Sequence, residues 1–401
     1  MRRSEVGTER IEGPRGCHAS EFDEVMALIN DTFRAGIDQD IRTDYPLVFN
    51  EAKLDLMRIL KVDGKVIAHV PIAPREVVAK EDAFTIGIIS PTITHPDYRK
   101  RGYATRCLWD CVRIMEEEGW PVSVLWTLEA TFPFYQQAGW EAVGSQGLTY
   151  WLDPADKERF DVGSFEVQCF DPSNSTHIDL VAGVHDAEPY HIRRSAEDYK
   201  ALLILPKITT FLTNASDERA YLVYGEATNK PGLIEGGGDP AALEALVGHI
   251  LREHASETIQ AWVNLSPSAI ASLLETKSPG SSRPVEHSKG AGHQMMRVNR
   301  LTLLLERIQN HLGEKGSNVD GEVSIECEEL GECVTIAFAD GSVDLSSRKG
   351  NNVISLTQRQ VAQLIFGGHD SLEPLVLPPQ AKEILDRLFP YYFPIWGLDH
   401  S

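Results

Sequence analysis

The chain has 401 residues, 42% of them hydrophobic and 24% charged, with a formal net charge of -21 and a pI near 5.0. Its length predicts two or three domains, and its acidity excludes a general nucleic-acid binder, which needs a basic face. No apolar run approaches a membrane span, and the N-terminus lacks an apolar signal core. We therefore expect no membrane partner. The cysteines are few and scattered, as in a reducing compartment, so we expect a cytoplasmic protein without a metal site.

The first third of the chain alternates helical and extended patterns. Apolar residues at helical spacing predict a helix over 22–33, and Asp63-Gly64 is typical of the turn of a β-hairpin. "FTIGIISPTIT" is a predicted strand that Pro91 interrupts. A helix over 104–115, the strand "VSVLWT", a short helix in "ATFPFYQQAG" and a strand in "WEAVG" follow. This order predicts a mixed sheet with helices packed on it.

Two further regions follow the first one. "AYLVYGEA" and "IQAWVNL" are predicted strands, and Asp239-Pro240 is typical of a helix start. The glycine run in "IEGGGDPAALEAL" is interpreted as a loop and N-cap without a cofactor, because it offers acids and no cation. From about 296 onward, predicted helices and short strands with glycine turns indicate a small α+β domain.

A cationic turn stands directly before the third predicted helix, in "HPDYRKRGYATRC", residues 95–107. The first turn of a helix offers unpaired N–H groups and a positive dipole end. Gly102 lets the backbone approach a ligand, and arginines bind phosphate oxygens. The pattern indicates an anion site, for which a pyrophosphate is the ligand suggested; a solvated basic turn is the alternative.

This segment resembles the acetyl-CoA signature of the GCN5-related N-acetyltransferases (GNAT), Q/R-x-x-G-x-G/A, in Arg99, Gly102 and Ala104. In that family the turn holds the pyrophosphate of acetyl-CoA, and the preceding strand binds the pantetheine arm. The resemblance therefore implies the following cofactor-binding residues: Thr92, Thr94, Arg99, Lys100, Arg101, Gly102, Tyr103 and Ala104.

A second element of the same family, A-x-x-x-Y-x-x-x-G-F/W, resembles "EATFPFYQQAGW" about thirty residues later. Its tyrosine lies beside the CoA sulfur, which implies that Tyr135 is the catalytic general acid for the leaving thiolate. A tyrosine is suited to this role because its ordinary pKa is not far above that of a thiol. The alternative is a buried aromatic residue on an amphipathic helix.

The layout of the whole chain resembles the enhanced intracellular survival (Eis) acetyltransferases, most clearly in "ITHPDYRKRG", "LEATFPFYQQAGW" and "LDRLFPYYFPIWGLDHS". The resemblance implies an α+β fold with two tandem GNAT-like mixed β-sheet domains and a small sterol-carrier-protein-like domain. The domains are expected at 1–155, 156–295 and 296–401, the second being degenerate. It also implies a homo-oligomer such as a hexamer.

The chain end is expected to take part in catalysis, because members of that family place their terminal carboxylate at the active site. Here this carboxylate belongs to Ser401, with Asp399 and His400 as neighbours. It is ionised at neutral pH, so it can hold a cationic acceptor and take its proton. The aromatic and apolar residues before it are expected to anchor the tail by burial: Phe389, Phe393, Ile395 and Trp396. A frayed terminus is the alternative.

The leading hypothesis is an acetyl-CoA-dependent N-acetyltransferase that acts on a primary amine, such as a polyamine, an aminoglycoside or a lysine-like acceptor. The alternative is a non-catalytic acyl-CoA- or lipid-binding protein on the same scaffold. The presence of Tyr135 favours the enzyme. Asp38, Asp40 and Asp44 follow the first predicted helix and are expected to attract a cationic acceptor, with a solvated acidic loop as the equal alternative.

Overall fold

The fold is α+β, as predicted, and is built on three mixed sheets. A computed structural model of the protein describes residues 9–144, 147–215, 218–226, 230–284, 293–372, 377–395 and 397–399. Within these residues, no helix is long and apolar enough to cross a bilayer. Each sheet combines antiparallel pairs with one parallel pair.

The elements of the first region follow the predicted order, with a strand added before the first helix and a short helix added after it. They are β1 (Ile11–Gly16), α1 (Phe22–Phe33), α2 (Ile41–Asp44), β2 (Met57–Val62), β3 (Lys65–Ala79), β4 (Asp82–Ile89), β5 (Ile93–Thr94), α3 (Tyr103–Glu117), β6 (Val122–Thr127), α4 (Phe132–Gln136) and β7 (Glu141–Ala142).

The second region repeats the alternation of strands and helices. Its elements are β8 (Gly147–Leu152), β9 (Gln168–Cys169), α5 (Ser175–Ala187), β10 (Tyr190–Arg193), α6 (Ala196–Leu202), β11 (Ile208–Ala215), β12 (Glu218–Glu226), β13 (Pro231–Gly238), α7 (Pro240–Glu253), β14 (Ile259–Asn264), α8 (Ala269–Lys277) and β15 (Ser282–Pro284).

The third region begins with one more long strand and continues as a small α+β unit. Its elements are β16 (His293–Val298), α9 (Leu301–Arg307), α10 (Gln309–Gly316), β17 (Gly321–Cys327), β18 (Glu332–Ala339), β19 (Ser342–Ser346), β20 (Val353–Ser355), α11 (Gln358–Gly367) and α12 (Pro379–Leu388).

The first two sheets cross the predicted domain boundaries at 155 and 295. The first sheet has the order β1-β2-β3-β4-β6-β16-β7, so β16 from beyond the second region lies between β6 and β7. The second sheet has the order β15-β8-β14-β13-β12-β11-β9 and takes in β8, which directly follows the first region. Strand β10 also joins the first sheet, alongside β3. The two regions are therefore interleaved, because the pairing partners of β6 and β14 are distant in sequence.

One face of the first sheet shares a hydrophobic core with the third region and the C-terminal tail. This core contains Val77 and Phe84 of the sheet, Phe366 of α11 and the tail residue Phe393. The opposite face packs against α3 through Cys107 and neighbouring apolar residues. The second sheet has its own core with α7 and α8. The first sheet is thus covered on both faces, which explains the long apolar runs of β3 and β4.

The glycine run before α7 belongs to a strand, which corrects its interpretation as a loop. Residues 236–238 pair with 220–222 of β12 as the end of β13. Here the neighbouring strand comes so close that a Cβ on Gly238 would lie 2.2 Å from the carbonyl oxygen of Arg219. Glycine is needed for this close approach of two backbones.

Candidate active site

A cleft opens in the first sheet where two parallel strands separate. Strand β4 pairs with β6 only from Ile86/Val122 to Ile88/Val124. Beyond Pro91 the chain continues as β5, which pairs with β3 and not with β6, while β6 runs on beside β16. The predicted interruption at Pro91 is confirmed. A sheet that divides in this way leaves backbone groups of both strands without a partner across the gap.

The cationic turn stands at the mouth of this cleft and leads into α3. Lys100 and Gly102 both have left-handed backbone angles, with φ of 63° and 79°. In the part of the chain that the structure describes, no acceptor is found for the backbone N–H groups of residues 100–105. Successive N–H groups in such a turn form a concave anion-binding surface. Arg99, Lys100 and Arg101 are exposed around it.

A carboxylate of the protein itself already binds two members of this turn. Glu9 accepts a hydrogen bond from Arg101 Nη1 at 2.8 Å and another from the Tyr103 hydroxyl at 2.8 Å. The hydrogen bond to Glu9 raises the pKa of Tyr103. The turn therefore accommodates negative charge between these two side chains. Glu9 was not found by sequence reasoning, because its partners lie more than ninety positions away along the chain.

Tyr135 lies at the C-terminal end of α4 and is buried, with 9% of its surface exposed. Burial raises the pKa of its hydroxyl, and the nearby Thr92 hydroxyl offsets part of this rise. The two hydroxyls do not form a well-aligned hydrogen bond, since Thr92 Oγ1 is a buried atom without a partner among the described residues. The structure thus brings Tyr135 next to Thr92, one of the residues predicted to bind the pantetheine arm. A tyrosine whose pKa is raised stays protonated at neutral pH and can donate a proton.

Thr94 and Arg99 lie together on the other side of the break in the strand. Thr94 pairs with Ala68 of β3, and its carbonyl accepts a hydrogen bond from Arg99 Nε at 3.3 Å. This contact ties the cationic turn to the strand that precedes it. The predicted strand residue Thr94 and the predicted turn residue Arg99 are therefore in direct contact.

His69 is a buried residue near the cleft that the sequence analysis missed. It is the register partner of Ile93 in β5, and its ring lies 6.1 Å from that of Phe49. Among the described residues, neither ring nitrogen has a hydrogen-bond partner. Burial lowers the pKa of His69 to about 3, so the ring is neutral at physiological pH. An alternating apolar strand offers no signal that distinguishes such a histidine from a core residue.

The acidic loop after α1 carries less free charge than its sequence suggests. Asp40 caps α2 and pairs with Arg42 at 2.7 Å. Asp44 is bound by Arg34 and by Gln39. Two of the three acids predicted to attract a cationic acceptor therefore already have cationic partners within the loop. Asp38 lines the same surface depression as Arg34.

The comparisons agree with this geometry. Residues 14–143 match the family described as an acetyltransferase (GNAT) domain. The first region is thus an acetyltransferase domain of the GNAT type. No curated protein is detectably similar to the chain in sequence.

Three solved structures share the fold of this acetyltransferase over nearly its full length. They are a GCN5-related N-acetyltransferase from Kribbella flavida (16% identity, 98% of each chain, TM-score 0.71), one from Anabaena variabilis ATCC 29413 (14% identity, 96% of this chain and 98% of that one, TM-score 0.72) and Eis1 from Mycobacterium abscessus (15% identity, 97% and 99%, TM-score 0.66).

GNAT domains use acetyl-CoA, and the residues of this acetyltransferase fit that cofactor. The N–H groups of residues 100–105 and the side chains of Arg99 and Lys100 suit a pyrophosphate. Beyond Ile88/Val124 the chain after β4 no longer pairs with β6, and the gap between β5 and β6 suits an amide-containing arm. Among the described residues, no group of histidine, cysteine and acidic side chains could hold a metal ion.

The C-terminal tail packs onto the first sheet of the acetyltransferase, as predicted for its apolar residues. Phe389, Phe393 and Ile395 are buried, and the ring of Phe393 lies 5.6 Å from that of Phe84 in β4. Asp399, also buried, is the last described residue of the chain. The predicted anchor Trp396 and the predicted residues His400 and Ser401 lie outside the described residues.

Proposed function

We propose that this protein transfers the acetyl group of acetyl-CoA to a primary amine, such as a polyamine, an aminoglycoside or a lysine-like acceptor. The observation that carries the proposal is the split between β4 and β6 beside the cationic turn. Among the described residues, the backbone N–H groups of this turn have no acceptor and can donate to a ligand. Tyr135 stands next to Thr92 at this split. The cofactor residues are Thr92, Thr94 and the turn from Arg99 to Ala104.

In the proposed reaction, acetyl-CoA supplies a thioester carbon that the neutral amine attacks, so a C–N bond forms as the C–S bond breaks. Tyr135 donates its proton to the departing sulfur. The terminal carboxylate of Ser401 takes the proton that the amine loses. Burial of Tyr135 supports this role, because its raised pKa keeps the proton available well above neutral pH.

The burial of the tail supports the proposed role of the chain end. Phe393 contacts Phe84 in β4, and the carbonyl of Asp399 accepts a hydrogen bond from Arg75 Nε in β3. Arg75 faces Ile86, which lies where β4 begins to pair with β6. The tail therefore contacts the first sheet at both Phe393 and Asp399.

The finer assignments of the scaffold are part of the same proposal. We assign the third region to a sterol-carrier-protein-like domain, the whole chain to an Eis-like enzyme, and its working state to a homo-oligomer such as a hexamer. The fold shared with Eis1 supports the Eis-like assignment. Gel filtration with light scattering tests the assembly, and a monomer at working concentration would contradict it.

The function is tested by measuring free thiol released from acetyl-CoA in the presence of polyamines, aminoglycosides and lysine peptides. We expect amine-dependent release that Tyr135→Phe lowers about 10²–10⁴-fold, the usual contribution of a general acid. Acetyl-CoA binding should be nearly unchanged in this variant.

Tyr224→Phe is the matched control, because Tyr224 lies in β12 of the second sheet and its hydroxyl donates to the carbonyl of His254 at 3.3 Å. It should retain the native rate. Tight acetyl-CoA binding without thiol release for any amine would instead favour the non-catalytic acyl-CoA-binding protein.

A further inference from the structure

A cavity of about 690 Å³, counted to its open mouth, lies in the second sheet where the two parallel strands of that sheet separate. The pairing of β13 with β14 ends at Leu233/Ala261, and Ile234 and Val263 beyond this point line the cavity. None of its described lining residues belongs to the range 9–144. The cavity is therefore separate from the cleft beside β6 in the first region.

The walls of the cavity are mostly apolar and aromatic, but three carboxylates also line it. Two of them, Glu235 and Asp399, are bound by the buried guanidinium of Arg194, and we call these three residues the Arg194 cluster. The third carboxylate, that of Glu188, accepts the backbone N–H of Ala269 at 3.1 Å and has no cationic partner among the described residues. Burial raises the pKa of Glu188, as expected of a carboxylate withdrawn from water without a counter-ion. A cationic ligand would supply this counter-ion.

Two further polar side chains of the wall can accept a hydrogen bond from an ammonium group. Ser266 is 3% exposed, and its hydroxyl has no partner among the described residues. A buried hydroxyl without a partner is unfavourable, and a ligand that donates to it removes this cost. His191 donates from Nδ1 to the carbonyl of Glu188 at 2.7 Å, since a carbonyl can only accept. The Nε2 atom of the neutral His191 ring is then an acceptor.

We propose that this cavity binds a small organic cation, with its ammonium group beside Glu188 and its apolar body between β13 and β14. The lining residues Trp262 and Tyr190 suit such a ligand, because aromatic rings offer apolar area and attract cations. The phosphates of acetyl-CoA would instead meet the carboxylate of Glu188. The site lies outside the residues assigned to acetyl transfer, so it goes beyond the proposed function and does not depend on it.

Three probes of nearly the same shape test whether the cavity recognises positive charge. At neutral pH benzylamine is a cation, benzyl alcohol is neutral and benzoate is an anion. Titration calorimetry on the full chain should give a benzylamine Kd about tenfold or more below that of benzyl alcohol, because a hydrogen bond to an ionised group is much stronger than a neutral one. Benzoate should not bind. Free CoA should leave the benzylamine Kd within about twofold, because it occupies a different cleft.

Glu188→Gln locates the cation, because this change removes the charge but keeps an oxygen for the N–H of Ala269. It should raise the benzylamine Kd about tenfold or more and leave the benzyl alcohol Kd within about twofold. Glu197→Gln is the matched control, since Glu197 lies in α6 of the same region, is 79% exposed and pairs with Lys200. It should change neither Kd. Amine-dependent thiol release should keep its native rate in both variants, so a failure of this site is distinguishable from a failure of the proposed function.

Ser266→Ala provides a second variant if Glu188→Gln fails to fold. It removes only the hydroxyl and should weaken benzylamine binding about fivefold, the usual contribution of one neutral hydrogen bond. Four results would each overturn the site: no binding of benzylamine at millimolar concentration, equal affinity for benzylamine and benzyl alcohol, displacement of benzylamine by CoA, or native benzylamine affinity in the folded variants at Glu188 and Ser266.

Discussion

The first and second sheets both split between two parallel strands, but the turns that follow the two splits differ in charge and in the space they leave for an anion. In the first sheet, β4 and β6 part after Ile88/Val124. In the second, the parallel strands β13 and β14 pair only at Gly232/Gln260 and Leu233/Ala261. Each opening is followed by a helix, α3 in one case and α7 in the other. The backbone design is shared, so the difference must lie in the turns.

The two turns differ in space as well as in charge. A Cβ added to Gly102 would meet no atom within 4 Å, whereas one added to Gly238 would clash with the backbone of Arg219. The carboxylate of Asp239 accepts the N–H of Arg219 at 2.8 Å, and Pro240 brings no N–H to the helix start. The first turn is thus open and cationic, and the second is filled by its own chain. The fold supplies a cleft, and the turn decides whether an anion can bind there.

Arg99 and Arg194 show the same contrast between an accessible charge in the first region and an enclosed charge in the second region. Arg99 of the first turn is exposed and available to a ligand, whereas Arg194 of the second region is buried and bound by two carboxylates. Substitution of the former should therefore weaken binding without unfolding the protein. Substitution of Arg194 or of its partners Glu235 and Asp399 should lower the free energy of unfolding.

The largest expected effect is on cofactor affinity. Arg99→Glu with Lys100→Glu should raise the acetyl-CoA Kd about 10²–10⁴-fold, because two charge-assisted hydrogen bonds contribute about 3–6 kcal/mol together. Titration calorimetry measures this. Lys200→Glu with Lys207→Glu changes the net charge equally on the surface of the second region. An equal loss in that control would mean that net charge, and not the turn, governs affinity.

Glu235→Gln should destabilise the fold by about 3–5 kcal/mol at pH 7, because it leaves Arg194 with a weakened buried partner. Urea denaturation measures this free energy of unfolding. Glu226→Gln, which breaks the surface pair with Lys207, should change it by less than about 1 kcal/mol. Equal values for the two variants would contradict the contrast between buried and exposed pairs.

The effect of Glu235→Gln should also depend on pH. Burial would raise the pKa of Glu235, but Arg194 outweighs it and holds the pKa at about 2. A depressed carboxyl pKa stabilises the fold above the unfolded value of about 4.3, and this stabilisation is lost as pH falls toward the folded value. The difference in stability between the native protein and the variant should therefore shrink from pH 5 to pH 2. A constant difference would exclude ionised Glu235 as its source.

Glu9→Gln should tighten acetyl-CoA binding by no more than about fivefold. A phosphate group has to displace the Glu9 carboxylate from Arg101, and an exposed pair of this kind is worth about 0.2–1 kcal/mol. Glu12→Gln serves as the control, since Glu12 pairs with Arg15. Weaker binding in Glu9→Gln would show that Glu9 organises the turn rather than competing for it.

The smallest expected effect is that of Asp239→Asn, which removes the negative charge of the second turn and keeps its shape. The stoichiometry of acetyl-CoA should stay at one per chain, because the backbone of Arg219 still fills the turn. A second equivalent bound in calorimetry would show that charge alone, and not space, closes the second cleft.

Local features of the fold could be predicted from the sequence. The Asp63-Gly64 hairpin, the break at Pro91 and the start of α3 after Gly102 follow from turn chemistry and hydrophobic period, and the structure contains all three. Asp239 precedes α7 as predicted, yet its side chain binds Arg219 N–H and not the first helical turn. Local sequence indicates where a helix begins, but it does not reveal a competing donor on a neighbouring strand.

Features that depend on distant pairing could not be predicted. The exchange of β8 and β16, the pairing of β10 with β3 and the Arg194 cluster each join segments far apart in the sequence. Arg194 follows Arg193 directly in "HIRRS", so the sequence shows two equivalent cations, of which Arg193 is exposed. Nothing local separates the two residues, because burial of one is decided by where Asp399 and Glu235 arrive. The candidate site residues were predicted from a motif, and a motif gives no information on their distant partners.

The late arrival of β16 has a consequence for synthesis of the protein on the ribosome. Strand β6 pairs with β16 along its whole length, from Val122/Val298 to Thr127/His293. The edge of "VSVLWT" that pairs with β16 therefore has no partner while the second region is translated. This takes on the order of ten seconds or more at usual elongation rates. An apolar strand with an open edge is a site for pairing with other chains. The nascent acetyltransferase domain is thus most exposed to aggregation, and most dependent on chaperones, until residue 298 has left the exit tunnel.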